Sequence, residues 1–513
     1  MTTVVMPPAE PDTFTGWQSE RAGFIGNLSG AGFVLVALAC VVSLVPITRH
    51  SWSAAVVALP VAALLLLLAY GRVMGLSAQE WIVLAVRHQI AVATKRNTFI
   101  SGAFAPSTAD GRQPMDLPGT LARLRILDAP DGLGGQVGIA HDPVDGTYTL
   151  VARISYSGLG LVDTERANNR VRAWGAFLRS HCKEDSSIIR LQIHQRSLPD
   201  DGAALREWTE RHISPDAPAA AVQTLADLMS VAGPAATVRE TYLSITLSSS
   251  RARMAIRSAG GGQVGAAAVL MREWHAMGSS IASAGLQVTE LLTPRTLAGV
   301  IRTAYDPDAQ LMLAARAAAA SRPGWKGTPA GVDPALAGPS AAETSWTRYR
   351  HDGAWTVTYK VHGLPKSEVY ATFLQPLLRP RTNARRSLSL VYEPIAPARA
   401  RRELAREKTR RQATRTLRRK AGRDESEDQL LEAQTAHAQD VARAQGQGVV
   451  RTIALISVTV TDLDQLESAC ADLQADASEA GLDIKRSWGT QDDAFAAGAL
   501  PLGRGLPNLR MPL

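Results

Sequence analysis

Cysteine is nearly absent from this 513-residue chain: Cys40, Cys182 and Cys470 stand far apart. No C-x-x-C pair occurs, so a disulfide framework is excluded and a reducing, cytoplasmic setting is the simpler expectation for the folded part. Enzyme signatures are missing too. There is no G-x-x-x-x-G-K-S/T, no H-E-x-x-H and no G-x-S-x-G, which removes the usual phosphate loop, zinc helix and nucleophile elbow. The Gly-rich stretches "DGLGGQVG" (131–138) and "SAGGGQVG" (258–265) read as turns, and the first precedes a strand rather than following one. His181 sits beside Cys182 with no further ligand pair at metal spacing, so it reads as a structural histidine. Asp492 and Asp493 are a possible acid pair. Adjacent side chains point apart on a strand or helix, so a solvated loop or helix cap is the expected setting. No catalytic, cofactor-binding or metal residue is nominated, and no cofactor is expected.

The net charge of +8 has one local source. Residues 398–423 carry ten Arg and two Lys against two Glu, and without them the chain is slightly acidic at −2. This stretch lacks Pro and reads as a long charged helix within an insertion at 396–447. Its basic residues are Arg399, Arg401, Arg402, Arg406, Arg410, Arg411, Arg415, Arg418, Arg419 and Lys420. A solvated helix with internal ion pairs, an acidic partner or anionic lipid, and nucleic acid all fit such a run. No aromatic platform is interleaved for stacking on bases.

Two apolar blocks, residues 31–47 and 54–70, are each seventeen residues without a charge. At about 1.5 Å per residue each reaches roughly 25 Å, and flanking residues bring it near the hydrocarbon thickness of a bilayer. The expectation is a transmembrane hairpin over 29–72, anchored by Phe33, Leu35, Leu38, Val42, Val57, Leu64, Leu66 and Leu68. Trp52, Tyr70 and Trp81 are the expected interfacial aromatics. Two buried helices of a soluble domain are the competing reading. Arg21 before the hairpin and Arg72, Arg87, Lys95 and Arg96 after it place both ends in the cytoplasm by the positive-inside bias. This predicts a multi-pass protein of the inner (plasma) membrane whose N-terminal tail (1–28) and remaining bulk are cytoplasmic. Residues 73–130 read as an interfacial helix and connector, with Trp81, Leu84, Ala85, His88 and Val92 at helical spacing; packing of this helix against the soluble domain is the competing reading.

From Thr147 onward, strand and helix periods alternate. "TYTLVARISYS", a helix begun at Asp163, "SSIIRLQIHQRS", "ETYLSITLSSS", a helix with Leu270, Trp274, Met277 and Ile281 on one side, and "LQVTELLT" form one set. "AWTVTYKVHG", a helix begun at Ser367 with Val369, Phe373 and Leu377, "RRSLSLVYEP", "VVRTIALISVTVT", a helix with Leu466, Cys470 and Leu473, and "LDIKRSWG" form another. The predicted fold is therefore an α+β membrane protein with tandem ferredoxin-like (split βαβ) halves at 131–320 and 344–513. A Pro/Gly/Ala-rich linker, 321–343, joins them.

Several stretches carry a resemblance. "LTPRTLAGVIRTAYDP" (292–307), "GPSAAETSWTRYRHDGAWTVTYKVHGLP" (338–365) and "RRSLSLVYEPIAPARARRE" (385–403) resemble a family of actinobacterial membrane proteins encoded with conjugation-like type IV secretion genes. Family members often have Trp-Pro where Leu364-Pro365 stands here. "AGLDIKRSWGTQDDAFAAGALPLG" (480–503) looks like the segment leading into the motor domain of type IV secretion ATPases. The resemblance implies a non-enzymatic, membrane-anchored scaffold that docks a separate hexameric ATPase and other channel components. The alternatives are an EccE-like component of a type VII (ESX) system, or a DNA-contacting conjugation accessory protein acting through the basic helix.

Overall fold

Alternating apolar and polar residues put opposite faces on each strand, and this alternation builds one large sheet. The computed structural model describes residues 11–14, 30–49, 52–73, 76–101, 117–156, 162–199, 211–232, 237–365, 367–379, 384–403 and 448–505, with 158, 208, 209, 405, 406, 409 and 412. Near the start come β1 (Thr13–Phe14), α1 (Gly30–Arg49), α2 (Trp52–Tyr70), β2 (Arg72–Val73), β3 (Leu76–Ser77), α3 (Ala78–Ala93) and β4 (Thr98–Ile100). The first half holds β5 (Arg125–Pro130), β6 (Gln136–Asp142), β7 (Thr147–Tyr156), α4 (Thr164–Ser180) and β8 (Ile188–Pro199). It continues through α5 (Ala219–Ala232), β9 (Thr237–Ser248), α6 (Arg253–Ser258), α7 (Gly262–Ser283), β10 (Leu286–Leu291), α8 (Pro294–Tyr305) and α9 (Ala309–Ala320). The second half holds β11 (Ala341–Thr344), β12 (Tyr349–His351), β13 (Ala354–Gly363), β14 (Val369–Tyr370) and β15 (Arg385–Ile395). It ends with β16 (Val449–Val460), α10 (Leu466–Glu479), β17 (Asp483–Arg486) and α11 (Gln491–Gly498).

Thirteen strands join in one antiparallel sheet, ordered β4-β11-β12-β13-β16-β15-β8-β9-β7-β6-β5, with β10 also on β7 and β17 also on β13. The halves repeat each other. In each, a long first strand (β7 or β13) shares one edge between a preceding strand (β6 or β12) and the last strand (β10 or β17). The duplicated unit therefore includes the hairpins β5–β6 and β11–β12. The halves meet edge to edge where β8 pairs β15, from Ser387↔Arg196 to Tyr392↔Leu191.

Helices α4 and α7 cover one face of the first half, where Phe177, Leu270, Trp274, Met277 and Ile281 pack on Leu150, Leu243 and Ile245. On the second half, α10 buries Leu466, Cys470 and Leu473 against Val357, Ile456 and Val458. The opposite face carries a third core, built by α8, α11 and the loop at Leu117–Leu124 around Tyr242, Tyr305, Tyr349, Phe495 and Leu500. Val332 and Ala337 of the Pro/Gly/Ala-rich stretch are buried in this core, so the segment at 321–343 is partly packed rather than a bare tether.

The membrane reading is corrected here. Among the described residues no helix is long and apolar enough to cross a membrane. The charge-free block in each helix is seventeen residues, at the bottom of the roughly 17–25 apolar residues a spanning helix needs. The transmembrane hairpin, the multi-pass inner-membrane location and the membrane part of the fold class are therefore withdrawn. In their place stands an α+β chain with a large antiparallel sheet. Helices α1 and α2 pack on each other, and Ala39, Ala58, Ala62 and Ala69 are buried on them. Of the proposed anchors, Phe33, Leu38, Val57, Leu64 and Leu66 are exposed, while Leu35, Val42 and Leu68 are half-buried.

A helix begun at Ser367 does not form either. Val369 enters β14, and Gln375–Leu378 is a single 3-10 turn with Pro376 inside it. Proline has no N–H to donate to a preceding turn, so a regular helix through Leu377 is disfavoured.

Candidate docking site

Strands β13, β16, β15, β8, β9 and β7 each place a hydroxyl or amide side chain on one face of the sheet: Thr358, Ser457, Ser387 and Ser389, Gln192, Ser244 and Thr246, and Thr149. All are buried. A buried polar row is stable only if its groups are paired: Thr358 bonds Ser457 and Thr149 bonds Thr246 across strands, and the chain's own segment 491–504 pairs most of the rest. The Ser387 and Ser389 hydroxyls donate to the Gly498 and Ala497 carbonyls, both at 3.0 Å. Gln192 donates to the Leu500 carbonyl at 3.0 Å, and its Oε1 accepts from the Gly503 N–H at 2.6 Å. The Ser244 hydroxyl donates to the Pro501 carbonyl at 2.6 Å. Arg504 ties the end down, at 2.8 Å from Asp142 and 2.6 Å from the Thr120 carbonyl.

The composition of the strap suits this seat. Ala494, Ala496 and Ala497 let α11 lie close to the strands. At Gly498 a Cβ would sit 2.9 Å from the Ser457 hydroxyl, and Gly503 has φ +61° with Thr246 where a Cβ would be. Because β8 and β9 belong to the first half and β13, β15 and β16 to the second, the strap locks the joint between the halves.

At its start, Asp492 and Asp493 occupy the first turn of α11. They are not solvated as the sequence suggests. Asp493 is buried and lies 3.2 Å from Arg87 of α3. Burial, then the charge of Asp493, pushes the Asp492 carboxyl up to about 6, against the pull of nearby backbone N–H groups and Arg87. Helix α3 starts with a capping box between Ser77 and Glu80. It docks through Trp81, whose ring lies 5.6 Å from Trp346 and 5.9 Å from Trp488, and through His88, 5.3 Å from Trp346. Trp81 thus packs against the protein body.

Under the strap's neighbour α8 lies a buried charge network. Arg196 contacts Glu240 at 2.6 Å and donates to Thr303 at 2.9 Å and to the Val300 carbonyl at 3.1 Å, while the Tyr242 hydroxyl donates to Glu240 at 2.7 Å. Burial raises the Glu240 carboxyl, but the charges of Arg196 and Arg153 outweigh it and hold the group at about 2. Next to this network His194 is fully buried with both ring nitrogens unbonded, and burial, then Arg196, lowers it to about 3. It is neutral at physiological pH.

A groove of about 620 Å³ opens on the second half, lined among others by Val369, Thr372, Phe373, Arg239, Arg379 and Glu479. Arg379 pairs with Glu479, and Arg239 donates to the Leu378 carbonyl at 2.8 Å. Along its margin, β14 is paired by β1, Thr13↔Tyr370 and Phe14↔Val369.

The other nominated residues scatter. Tyr70 is exposed at the end of α2, and the Trp52 side chain lies outside the described residues. The basic segment is helical at 397–403, with Arg399 paired to Glu403 at 2.8 Å. Arg401, Arg402 and Arg406 are exposed. Arg410, Arg411, Arg415, Arg418, Arg419 and Lys420 lie outside the described residues. His181 is buried against the Phe177 carbonyl at 2.9 Å. Both Gly-rich stretches contain turns with positive φ, at Gly132 and Gly134 and at Gly260–Gly262. Among the described residues no group of three His, Cys, Asp or Glu side chains is placed to hold a metal ion.

Sequence reasoning missed the strap and its polar row. The signal was present in the alternating hydroxyls of "SLSL", "SVTVT" and "LSITLS", which mark one polar face on strands otherwise buried on both sides. No protein-family model matches this chain, and no curated protein matches it.

Proposed function

We propose that this chain is a non-enzymatic scaffold of a conjugation-like type IV secretion apparatus, and that it docks a separate hexameric ATPase. The observation that carries the reading is where the stretches behind the resemblance meet. Residues 292–307, 338–365 and 480–503 are distant in sequence, yet the Phe495 ring packs 4.9 Å from Tyr305 and 5.1 Å from Tyr349. These stretches build one core beneath the strap, so the resemblance concerns a single structural unit. A continuous sheet locked across its middle suits a platform that must hold partners at fixed positions. The exposed Val and Leu side chains of α1 and α2 suit it too, since apolar surface of this extent marks an interaction face.

The test is co-purification of the tagged full chain in mild detergent from the cells that make it, followed by identification of what comes with it. A partner bearing Walker motifs is expected, and the isolated chain should hydrolyse no nucleotide. Recovery of type VII core proteins instead, or steady hydrolysis by the isolated chain, would sink the reading.

A further inference from the structure

The hairpin of α1 and α2 turns many of its larger side chains outward. The two helices are joined by two residues and pack on each other, so they run antiparallel. Their covered positions follow a 3-4 spacing: Gly32, Leu35, Ala39 and Val42 on α1, and Ala55, Ala58, Ala62, Leu65 and Ala69 on α2. These stripes are the seam between the helices, and most of the α2 side of it is alanine. One residue earlier, about 100° around each helix, stands a second stripe: Val34, Leu38 and Val41, and Val57, Val61 and Leu64. Each of these six is exposed, by 42–66%. In antiparallel helices a step of the same sign along the sequence turns to the same side of the pair. The six side chains therefore make one face, and neither apolar block carries a charge. The other side is mixed, with Cys40 and Ala63 among Phe33, Leu59 and Leu66.

We infer that this face joins two copies of the chain, whose hairpins close about a two-fold axis into a four-helix bundle. In such a bundle each helix meets two neighbours roughly a quarter turn apart, which is close to the angle between the seam and the exposed stripe. The area suffices. Helices of 20 and 19 residues are about 30 Å long and about 10 Å across, so the face covers roughly 600 Å² in projection. Side-chain relief adds to that, and a stable dimer buries about 800 Å² per partner. An occupant must offer two apolar helices of this length with the same 3-4 spacing, and a second hairpin offers them. A two-fold axis sets the face against itself, which like charges would oppose and a charge-free face permits. Because α3 follows α2 and docks on the body through Trp81, the pairing holds two bodies together. The inference goes beyond the scaffold reading and does not rest on it.

The test is sedimentation equilibrium of the full chain at micromolar concentration without detergent, where twice the 54.7 kDa of one chain is expected. Val57→Glu with Leu64→Glu sets carboxylates into an apolar contact and should raise the dimer Kd by about a hundredfold or more, leaving the single mass. Leu59→Glu with Leu66→Glu, on the mixed side of the same helix, should leave the mass doubled. Unchanged near-UV circular dichroism in both variants is expected, since the body keeps its fold. A single mass for the unsubstituted chain overturns the proposal, as does a mass that climbs past two copies. So does doubling that is indifferent to Val57→Glu with Leu64→Glu, or lost equally in both variants. Flotation of the unsubstituted chain with phosphatidylcholine vesicles, lost in the Val57→Glu and Leu64→Glu chain, would assign the face to lipid and overturn it too. Co-purification reads bound partners and sedimentation reads self-association, so either reading can fail alone.

Discussion

Replacing Asp492 by Asn should make the protein more stable at neutral pH and leave it unchanged in acid. In the native state this carboxyl ionises at about 6, against an ordinary value of 3.8. Below 3.8 it is neutral in both the folded and the unfolded chain, and no difference arises. Between the two values the folded chain keeps a proton that the unfolded chain has released, so stability falls as pH rises through this window. Above 6 the penalty is constant. The full gap corresponds to about 3 kcal/mol at 1.36 kcal/mol per pH unit. Asp493 and Arg87 share the titration, so a gain of about 1–3 kcal/mol is expected for Asp492→Asn at pH 7.5, and about zero at pH 4. Urea unfolding at both values, followed by tryptophan fluorescence, measures the gain. Hydrogen exchange over 491–504 localises it, because the stabilised element is the strap. An equal effect at both pH values, or a loss at pH 7.5, would refute the argument that a strained carboxylate sits at the start of α11.

Gln192→Ala removes four hydrogen-bonding contacts from a fully buried site, among them those to the Gly503 N–H and the Leu500 carbonyl. A cost of about 2–4 kcal/mol is expected, with exchange accelerated first in 497–503. Arg196→Met removes the nearer of the two cations at Glu240, leaving Arg153 at 3.8 Å and the Tyr242 hydroxyl, and should cost about 2–3 kcal/mol at pH 7. Because Glu240 is held near 2 in the native chain, its contribution is complete above about 4.5 and disappears as pH falls through 2. The gap between the variant and the native chain should therefore narrow over that range in pH-dependent unfolding. Arg87→Met should raise the Asp492 carboxyl further by removing the cation near the pair, shifting the acid-side stability change to higher pH.

What the amino-acid order determines by itself is whatever repeats over a few residues. The period-two runs at Thr147–Tyr156, Arg385–Ile395 and Val449–Val460 are strands, and the 3.6-residue spacing of Leu270, Trp274, Met277 and Ile281 is a buried helix face. The apolarity of α1 and α2 was equally plain, but apolarity alone does not say what covers a helix, and here it misled. Tertiary structure decided the rest. Joining β8 to β15 pairs residues nearly two hundred positions apart, and no local period encodes which edges meet. Asp492 and Asp493 read as solvent-exposed because neighbours in sequence offer them nothing. They are covered because they begin a strap whose backbone is held by side chains of β8, β9 and β15. Trp81 matched a membrane interface until Trp346 and Trp488 were brought beside it. Side-chain periodicity is a property of consecutive residues, whereas the environment of a charge or a ring is set by chain segments that only folding brings together.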